Sequence, residues 1–112
     1  VNAAMNDLMR PTLYDAFHKI INLSESKSQK KKYDIVGPIC ETGDFLGKDR
    51  LLSVEENNIL AILDVGAYGM SMSSNYNSRP KVSEIMVDDD KFYMIRNRET
   101  FADLINKEQL LP

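Results

Sequence analysis

The stretch Val82–Arg96 (VSEIMVDDDKFYMIR) decides the fold class of this sequence. Two runs rich in apolar residues, Val82–Val87 and Lys91–Arg96, flank the three aspartates Asp88-Asp89-Asp90. β-Branched and aromatic residues on either side of a short polar turn predict a β-hairpin. We interpret the three aspartates as a solvated turn rather than a metal site, because no further ligands are spaced around them.

Further strands are predicted upstream of this hairpin, at Phe17–Leu23, Tyr33–Val36 and Ile59–Val65. The last of these, ILAILDV, is a continuous apolar run and predicts a strand buried on both faces. The segment Ile39–Asp49 is rich in turn formers and predicts a loop, as does the polar segment Ser71–Pro80.

Short helices are predicted near both ends of the chain. Met9–Phe17 carries Pro11 where a helix would begin, and Pro is tolerated there. Thr100–Leu111 has Phe101, Leu104 and Ile105 on one helical face, and Thr100 with Asp103 resembles a capping box. With five or six strands and two short helices, the sequence predicts a mostly β fold.

Composition narrows the class of protein. With 112 residues and 43% hydrophobic residues, the chain has room for one domain, residues 1–112. Its net charge of −3 disfavours a nucleic-acid-binding protein, and one Cys with one His cannot form a Cys/His-rich zinc site. No apolar run approaches the roughly 18 residues that span a bilayer, and nothing reads as a signal peptide. We therefore expect a cytoplasmic protein without metal, membrane or nucleic-acid partners.

The first residues, Val1-Asn2-Ala3-Ala4-Met5, lack an initiator methionine, so we expect a piece of a longer protein. Ser24–Lys32 (SESKSQKKK) is polar and reads as a solvated loop, with binding of phosphate or of an acidic partner as the alternative. We interpret His18, in the predicted first strand, as structural.

Cys40 and Glu41 are the first residues that could carry chemistry. They follow Gly37-Pro38 and precede Gly43-Asp44 in the predicted loop. A thiol beside carboxylates suits a proton donor better than a nucleophile, because nearby negative charge disfavours the thiolate. Composition alone also allows Cys40 to be a small buried hydrophobic residue.

Arg10, Tyr14 and Tyr68 are the other candidates. Arg10 and Tyr14 are four residues apart on the predicted helical turn, so both could face one ligand. A guanidinium and a phenol together suit a carboxylate, although a surface Arg beside a half-buried Tyr is equally compatible. Tyr68 lies between Gly66 and Gly69, so its hydroxyl could reach a phosphate or a backbone carbonyl.

Four ordered strings resemble one known family: MNDLMRPTLYDAFH, GPICETGDFLGKDR, DVGAYGMSMSSNYNSRP and RNRETFADL. Together they look like the C-terminal domain of the diaminopimelate decarboxylase family, within the fold-type III pyridoxal-phosphate enzymes. The resemblance weakens over Ser24–Lys32, Leu51–Asn58 and beyond Leu104. It departs from the family at Asn2-Ala3-Ala4, where Asp-Ala-Gly is usual, and at Thr42, where Ser is commoner.

The resemblance implies a C-terminal β-barrel or β-sandwich domain with short helices, whose (β/α)8 barrel is absent from this sequence. It further implies a homodimer with active sites at the interface, and pyridoxal phosphate held by a Schiff-base lysine in the absent barrel. The implied reaction is decarboxylation of meso-2,6-diaminopimelate to L-lysine and CO2, and we expect the 112 residues alone to be inactive.

The resemblance also implies roles for single residues. Cys40 matches the proton donor, acting in the partner subunit's site, and Glu41 matches the carboxylate that binds the substrate's distal ammonium. Arg10 and Tyr14 match the pair that holds the distal carboxylate, and Tyr68 matches the tyrosine contacting cofactor phosphate and substrate. The alternatives are a decarboxylase of another diamino acid, of the ornithine or arginine type, and a non-catalytic dimerisation or binding relative.

Overall fold

The computed structural model describes residues 1–112. The chain divides into two compact units, Val1–Ser73 and Ser74–Pro112. The first unit contains α1 (Arg10–Tyr14), β1 (Ile20–Asn22), β2 (Lys31–Val36), β3 (Phe45–Leu52), β4 (Leu60–Ile62) and α2 (Gly69–Met72). The second contains a 3-10 turn (Tyr76–Ser78), β5 (Glu84–Asp88), β6 (Lys91–Arg96) and α3 (Phe101–Ile105). Six strands and short helices confirm the predicted mostly β fold.

Two antiparallel strand pairs build the first unit. β1 pairs with β4, and β2 pairs with β3 through a register that shifts twice. Two-stranded sheets are marginal by themselves, so side-chain burial between the pairs must stabilise them. The main core is formed by the buried side chains of Leu8, Ile20, Ile35, Leu46 and Leu52.

A buried carboxylate, Asp44, ties the N-terminal segment to the loop before β3. Its Oδ1 accepts the backbone N–H of Met5 at 2.7 Å, and its Oδ2 accepts that of Ile39 at 2.7 Å. Asp44 is only 4% exposed, and a buried charge is tolerated when it is fully hydrogen-bonded. Ile39 and Met5 also pack together in a second small core with Ala4.

Gly37 allows this arrangement by having no side chain. A Cβ built there would lie 2.5 Å from Asp44 Oδ2 and 2.7 Å from the carbonyl oxygen of Ala3. Real Cβ atoms do not approach so closely, so another residue would push the N-terminal segment away from the loop. Ala4, one of the departures from the family pattern, is fully buried at this contact.

The second unit is organised around the predicted hairpin. β5 and β6 pair antiparallel, with Asp88 opposite Lys91 and Asp89-Asp90 forming the turn. Side chains alternate across a strand, so both faces of the hairpin carry large apolar groups. These groups are exposed: Ile85, Met86, Val87, Phe92, Tyr93, Met94 and Ile95.

The helices are all short. α1 and α3 have five residues each and α2 has four, and no helix is long and apolar enough to cross a membrane. The predicted capping box is confirmed, since the Asp103 carboxylate accepts both the N–H and the hydroxyl of Thr100 at 2.7 Å. α3 nevertheless ends at Ile105, well before the predicted Leu111, and the residues beyond it are exposed.

Three other predictions need correction. Ile59–Val65 is not buried on both faces: only Leu60–Ile62 forms a strand, its residues are half-buried, and Ile59 is exposed. The predicted first strand Phe17–Leu23 likewise shortens to Ile20–Asn22, which pairs only with β4. The predicted loop Ile39–Asp49 contains the first residues of β3, the longest strand of the chain.

Replacing the Asp44 carboxylate should destabilise the first unit. Asp44→Asn leaves one acceptor oxygen and turns an amide NH2 toward a backbone N–H, so one buried donor loses its partner. We expect a loss of about 3 kcal/mol in the free energy of unfolding, measured by urea denaturation of the full-length protein. Asp90→Asn, at the exposed hairpin turn, is the matched control. Equal stability of the two variants would contradict the role assigned to Asp44.

The capping box should make α3 sensitive to acid. Hydrogen bonds from the Thr100 backbone N–H and hydroxyl lower the pKa of Asp103 below its ordinary value of 3.8. A carboxyl whose folded pKa is lowered stabilises the fold above the unfolded pKa and loses that contribution as pH falls through the folded pKa. An NMR titration of the Asp103 carboxyl carbon should give a midpoint below 3.8, and Thr100→Ala should raise it part of the way. A midpoint at or above 3.8 in the parent protein would refute this.

Candidate functional site

The loop between β2 and β3 presents Cys40 and Glu41 to solvent. Two backbone hydrogen bonds close it, from Glu41 N–H to the carbonyl of Ile39 at 2.8 Å and from Asp44 N–H to the carbonyl of Glu41 at 3.0 Å. The Ile39 side chain is buried, whereas the neighbouring Cys40 is exposed. The alternative that Cys40 is a small buried hydrophobic residue is therefore wrong.

Glu41 is also exposed, and its carboxylate has a local arrangement. Its Oε1 accepts the Thr42 hydroxyl at 3.2 Å and lies 3.4 Å from the backbone nitrogen of Gly43, which donates to it. These donors lie on the same short loop, so the carboxylate is oriented without being buried. Such a group can bind a cationic ligand from solvent.

Helix α1 positions Arg10 and Tyr14. Arg10 is its first residue and is half-buried, and Tyr14 is its last and is 64% exposed. The helix ends because Asp15 adopts a left-handed conformation, with φ of 53°. Pro11 is buried, so the helix is held to the unit on the side of that ring.

Tyr68 lies beside Arg10, which the sequence did not predict. The Arg10 guanidinium carbon is 5.8 Å from the centroid of the Tyr68 ring, within the range of a cation–π contact. Tyr68 itself adopts a left-handed conformation, with φ of 68° and ψ of −8°, at the start of α2. A bulky residue in that conformation is strained, and such strain clusters at functional sites.

The side chain of Thr12 joins α1 to the Cys40 loop. Its hydroxyl donates to the carbonyl oxygen of Gly43 at 2.6 Å and also lies 3.4 Å from that of Phe45. The structure thus connects the segments of three of the resembling strings, through Arg10 with Tyr68 and through Thr12 with Gly43. No pattern in the sequence indicates a role for Thr12 or Asp44, although Asp44 closes the CETGD string.

His18 and the loop Ser24–Lys32 both have hydrogen-bond partners within the first unit. His18 is buried, and its Nδ1 lies 3.0 Å from the carbonyl oxygen of Leu63, which agrees with a structural role. In the loop Ser24–Lys32, one carboxylate oxygen of Glu55 accepts three donors: the Ser26 hydroxyl and the backbone N–H groups of Lys27 and Ser28. Three hydrogen-bond donors of that loop are thus already used by the protein itself, whereas its lysines are exposed.

The chemistry of a pyridoxal phosphate site can be tested against these side chains. The Tyr68 ring is 63% exposed, and a phenol O–H is a suitable donor to a phosphate. A Schiff-base lysine is usually activated in a desolvated pocket, whereas every lysine of the first unit is exposed. The unit therefore fits such a cofactor only at one edge, through Tyr68.

Comparison with known proteins places this chain in a family. Residues 1–66 match the family described as the C-terminal sheet domain of the pyridoxal-dependent decarboxylases. Over its full length the chain is 53% identical to the diaminopimelate decarboxylase of Vibrio cholerae and 52% identical to that of Pseudomonas fluorescens. It covers 27% of each of those proteins, so it spans about a quarter of the length of these relatives.

Solved structures of similar proteins belong to the same family. The diaminopimelate decarboxylase of M. jannaschii in complex with L-lysine superimposes with a TM-score of 0.93 at 46% identity, covering 99% of this chain and 26% of that one. The Helicobacter pylori enzyme, also complexed with L-lysine, gives 0.89 at 46% identity, covering 96% and 27%. This chain belongs to the family of pyridoxal-dependent decarboxylases and contains their C-terminal sheet domain.

Proposed function

We propose that residues 1–112 form the C-terminal β-domain of a diaminopimelate decarboxylase, a cytoplasmic homodimer that converts meso-diaminopimelate to L-lysine and CO2. The observation that carries the proposal is the exposure of Cys40 and Glu41 on a loop whose base is fixed by the buried Asp44. A group that delivers a proton into a site needs both accessibility and a rigid support. The family membership and the name shared by the relatives support the choice of reaction.

Cys40 is the proposed proton donor. Pyridoxal phosphate, when bound, supplies the sink for the electron pair left on the substrate carbon after its carboxylate departs as CO2. That carbon must then gain a proton, and the S–H bond of Cys40 breaks to give it. The resulting thiolate recovers a proton from water, which restores the thiol for the next turnover.

Charge complementarity supports the roles of Glu41, Arg10 and Tyr14. The distal end of diaminopimelate carries one ammonium and one carboxylate. The exposed Glu41 carboxylate suits the ammonium, and the Arg10 guanidinium with the Tyr14 hydroxyl suits the carboxylate. Tyr68 would hold the cofactor phosphate and contact the substrate through its hydroxyl, while its ring lies over Arg10.

The remaining parts of the active site are assigned to the rest of the polypeptide. Because no lysine of either unit is buried, we assign the Schiff-base lysine to a barrel domain of the same subunit. Cys40 and Glu41 project from the surface of their own unit, which suits action in the active site of a partner subunit. The 112 residues alone would then hold half an active site and be inactive.

Substrate choice is the point on which the alternative functions differ. Ornithine has a bare distal amine, so a site for it needs no guanidinium opposite a distal carboxylate, and Arg10 with Tyr14 favours diaminopimelate. A non-catalytic dimerisation relative would need neither Cys40 nor Glu41 for its binding. The two experiments below separate these possibilities.

Removing the Cys40 thiol should abolish most turnover. In the full-length enzyme, Cys40→Ala removes the proton donor, and we expect kcat to fall about 100-fold or more. Steady-state lysine formation measures the loss, and light scattering checks that the dimer persists. Thr42→Ser on the same loop keeps its hydroxyl and should retain activity. Unchanged turnover in Cys40→Ala would remove this residue from the mechanism and favour the non-catalytic alternative.

Arg10 should determine discrimination for the distal carboxylate. Arg10→Gln keeps a polar side chain but loses the charge, so we expect the KM for meso-diaminopimelate to rise about 100-fold, since a site loses most when a charged partner is unpaired. The preference for meso-diaminopimelate over ornithine, measured as the ratio of their kcat/KM values, should fall as a result. Arg98→Gln, at an exposed position of the second unit, is the control. A preserved ratio in Arg10→Gln would point to a decarboxylase of another diamino acid.

A further inference from the structure

Thr12 occupies an unusual place for a helical threonine. It is the middle residue of α1, a helix of five residues, which is far too short to be stable without tertiary contacts. A Thr hydroxyl within a helix commonly bonds back to a carbonyl of the preceding turn. Here it bonds instead to Gly43, which is 31 residues further along the chain. The placement of α1 and that of the Cys40 loop are therefore linked through the Thr12 hydroxyl, which lies 2.6 Å from the Gly43 carbonyl oxygen.

The contact at Gly43 is also a close steric fit. A Cβ built on Gly43 would lie 3.0 Å from Cγ2 of Thr12, tighter than nearly all real contacts of that kind. The threonine methyl thus occupies space that a side chain at residue 43 would need, while the hydroxyl of Thr12 holds the glycine carbonyl. Gly43 directly precedes the Asp44 anchor.

Gly43 in turn orients Glu41. Its backbone nitrogen lies 3.4 Å from Glu41 Oε1 and donates to it, and Asp44 N–H donates to the Glu41 carbonyl. Asp44 fixes the base of the loop through Met5 and Ile39, independently of Thr12. Loss of the Thr12 hydrogen bond should therefore loosen residues 40–43 while the base of the loop stays in place.

We propose that Thr12 is a positioning residue of the decarboxylase, which fixes the loop carrying Cys40 and Glu41 against the helix carrying Arg10 and Tyr14. This inference rests on the proposed function, because it gives Thr12 a role through those four residues. Misplacement of a reacting group by about 1 Å costs up to about 100-fold in rate. Thr12 contacts neither the reacting carbon nor the cofactor in this proposal and acts through Gly43.

The first test compares two substitutions in the full-length holoenzyme. Thr12→Val keeps the shape and removes the hydroxyl, so we expect kcat/KM for meso-diaminopimelate to fall about tenfold or more. Thr12→Ser keeps the hydroxyl and should stay within about twofold of the parent enzyme. If Thr12 had only a structural role, each variant would lose activity in proportion to the fall in its melting temperature. Parent-like activity in Thr12→Val, or equal losses in both variants, would overturn the proposal.

The second test uses the steric fit. Gly43→Ala places a methyl group against Thr12 Cγ2 and should lower activity, whereas Thr12→Ser removes that Cγ2. The double variant Thr12→Ser/Gly43→Ala should therefore recover activity lost in Gly43→Ala alone. Losses that simply add, with no recovery, would contradict the coupling of these two residues.

A double-mutant cycle separates this proposal from the proposed function. If Thr12 orients Glu41, Thr12→Val should raise the KM less in a Glu41→Gln background than in the parent enzyme, because the substrate contact that Thr12 orients is already lost there. A full additional rise in KM in that background would overturn this role of Thr12 while leaving Glu41 in the mechanism. If Glu41→Gln and Cys40→Ala themselves keep parent activity, the proposed function fails, and the inference about Thr12 fails with it.

Discussion

The buried carboxylate of Asp44 is the constraint on which the rest of the first unit depends. It holds two backbone N–H groups that belong to segments 34 residues apart, Met5 and Ile39, and neither segment has regular structure at that point. Because a buried charge needs its hydrogen bonds, the two segments cannot separate without a large energetic cost. The exposed Cys40 follows Ile39 directly, so its position depends on a carboxyl group that is almost entirely shielded from solvent.

The sequence correctly predicted the elements that depend on residues close together along the chain. The hairpin β5–β6 and the capping box of α3 follow from residues close together in sequence, and both are present. β3 was missed because Gly47, Lys48 and Asp49 resemble a turn, whereas pairing with β2 keeps them in the strand through an irregular register. The burial of β4 was overestimated because an apolar run does not reveal whether a second layer covers its other face.

For the candidate site, the sequence predicted the side chains that could meet a ligand but not the contacts that support them. Four ordered strings identified the family and named the side chains that could meet a ligand, including Cys40 and Arg10. The supporting contacts were not predictable, because Thr12 and Asp44 act on partners 31 and 39 residues away. A hydroxyl on a helix and a carboxylate in a turn-rich segment both look like surface residues until the chain brings their partners to them.

The hairpin β5–β6 carries large apolar side chains on both of its faces, and they are all exposed. A ribbon of this kind has no solvent side, and its two edges offer unpaired backbone groups to any other strand. The consequence is a tendency of the isolated segment to self-associate in solution. If this segment were produced without the remaining three quarters of the polypeptide that its relatives possess, it would self-associate even at low concentration. Self-association, rather than its free energy of unfolding, would then limit its behaviour in solution. Lys91, at the start of β6, is the cation within that strand that opposes such stacking, since the charge of Arg96 at its other end is paired with Glu84.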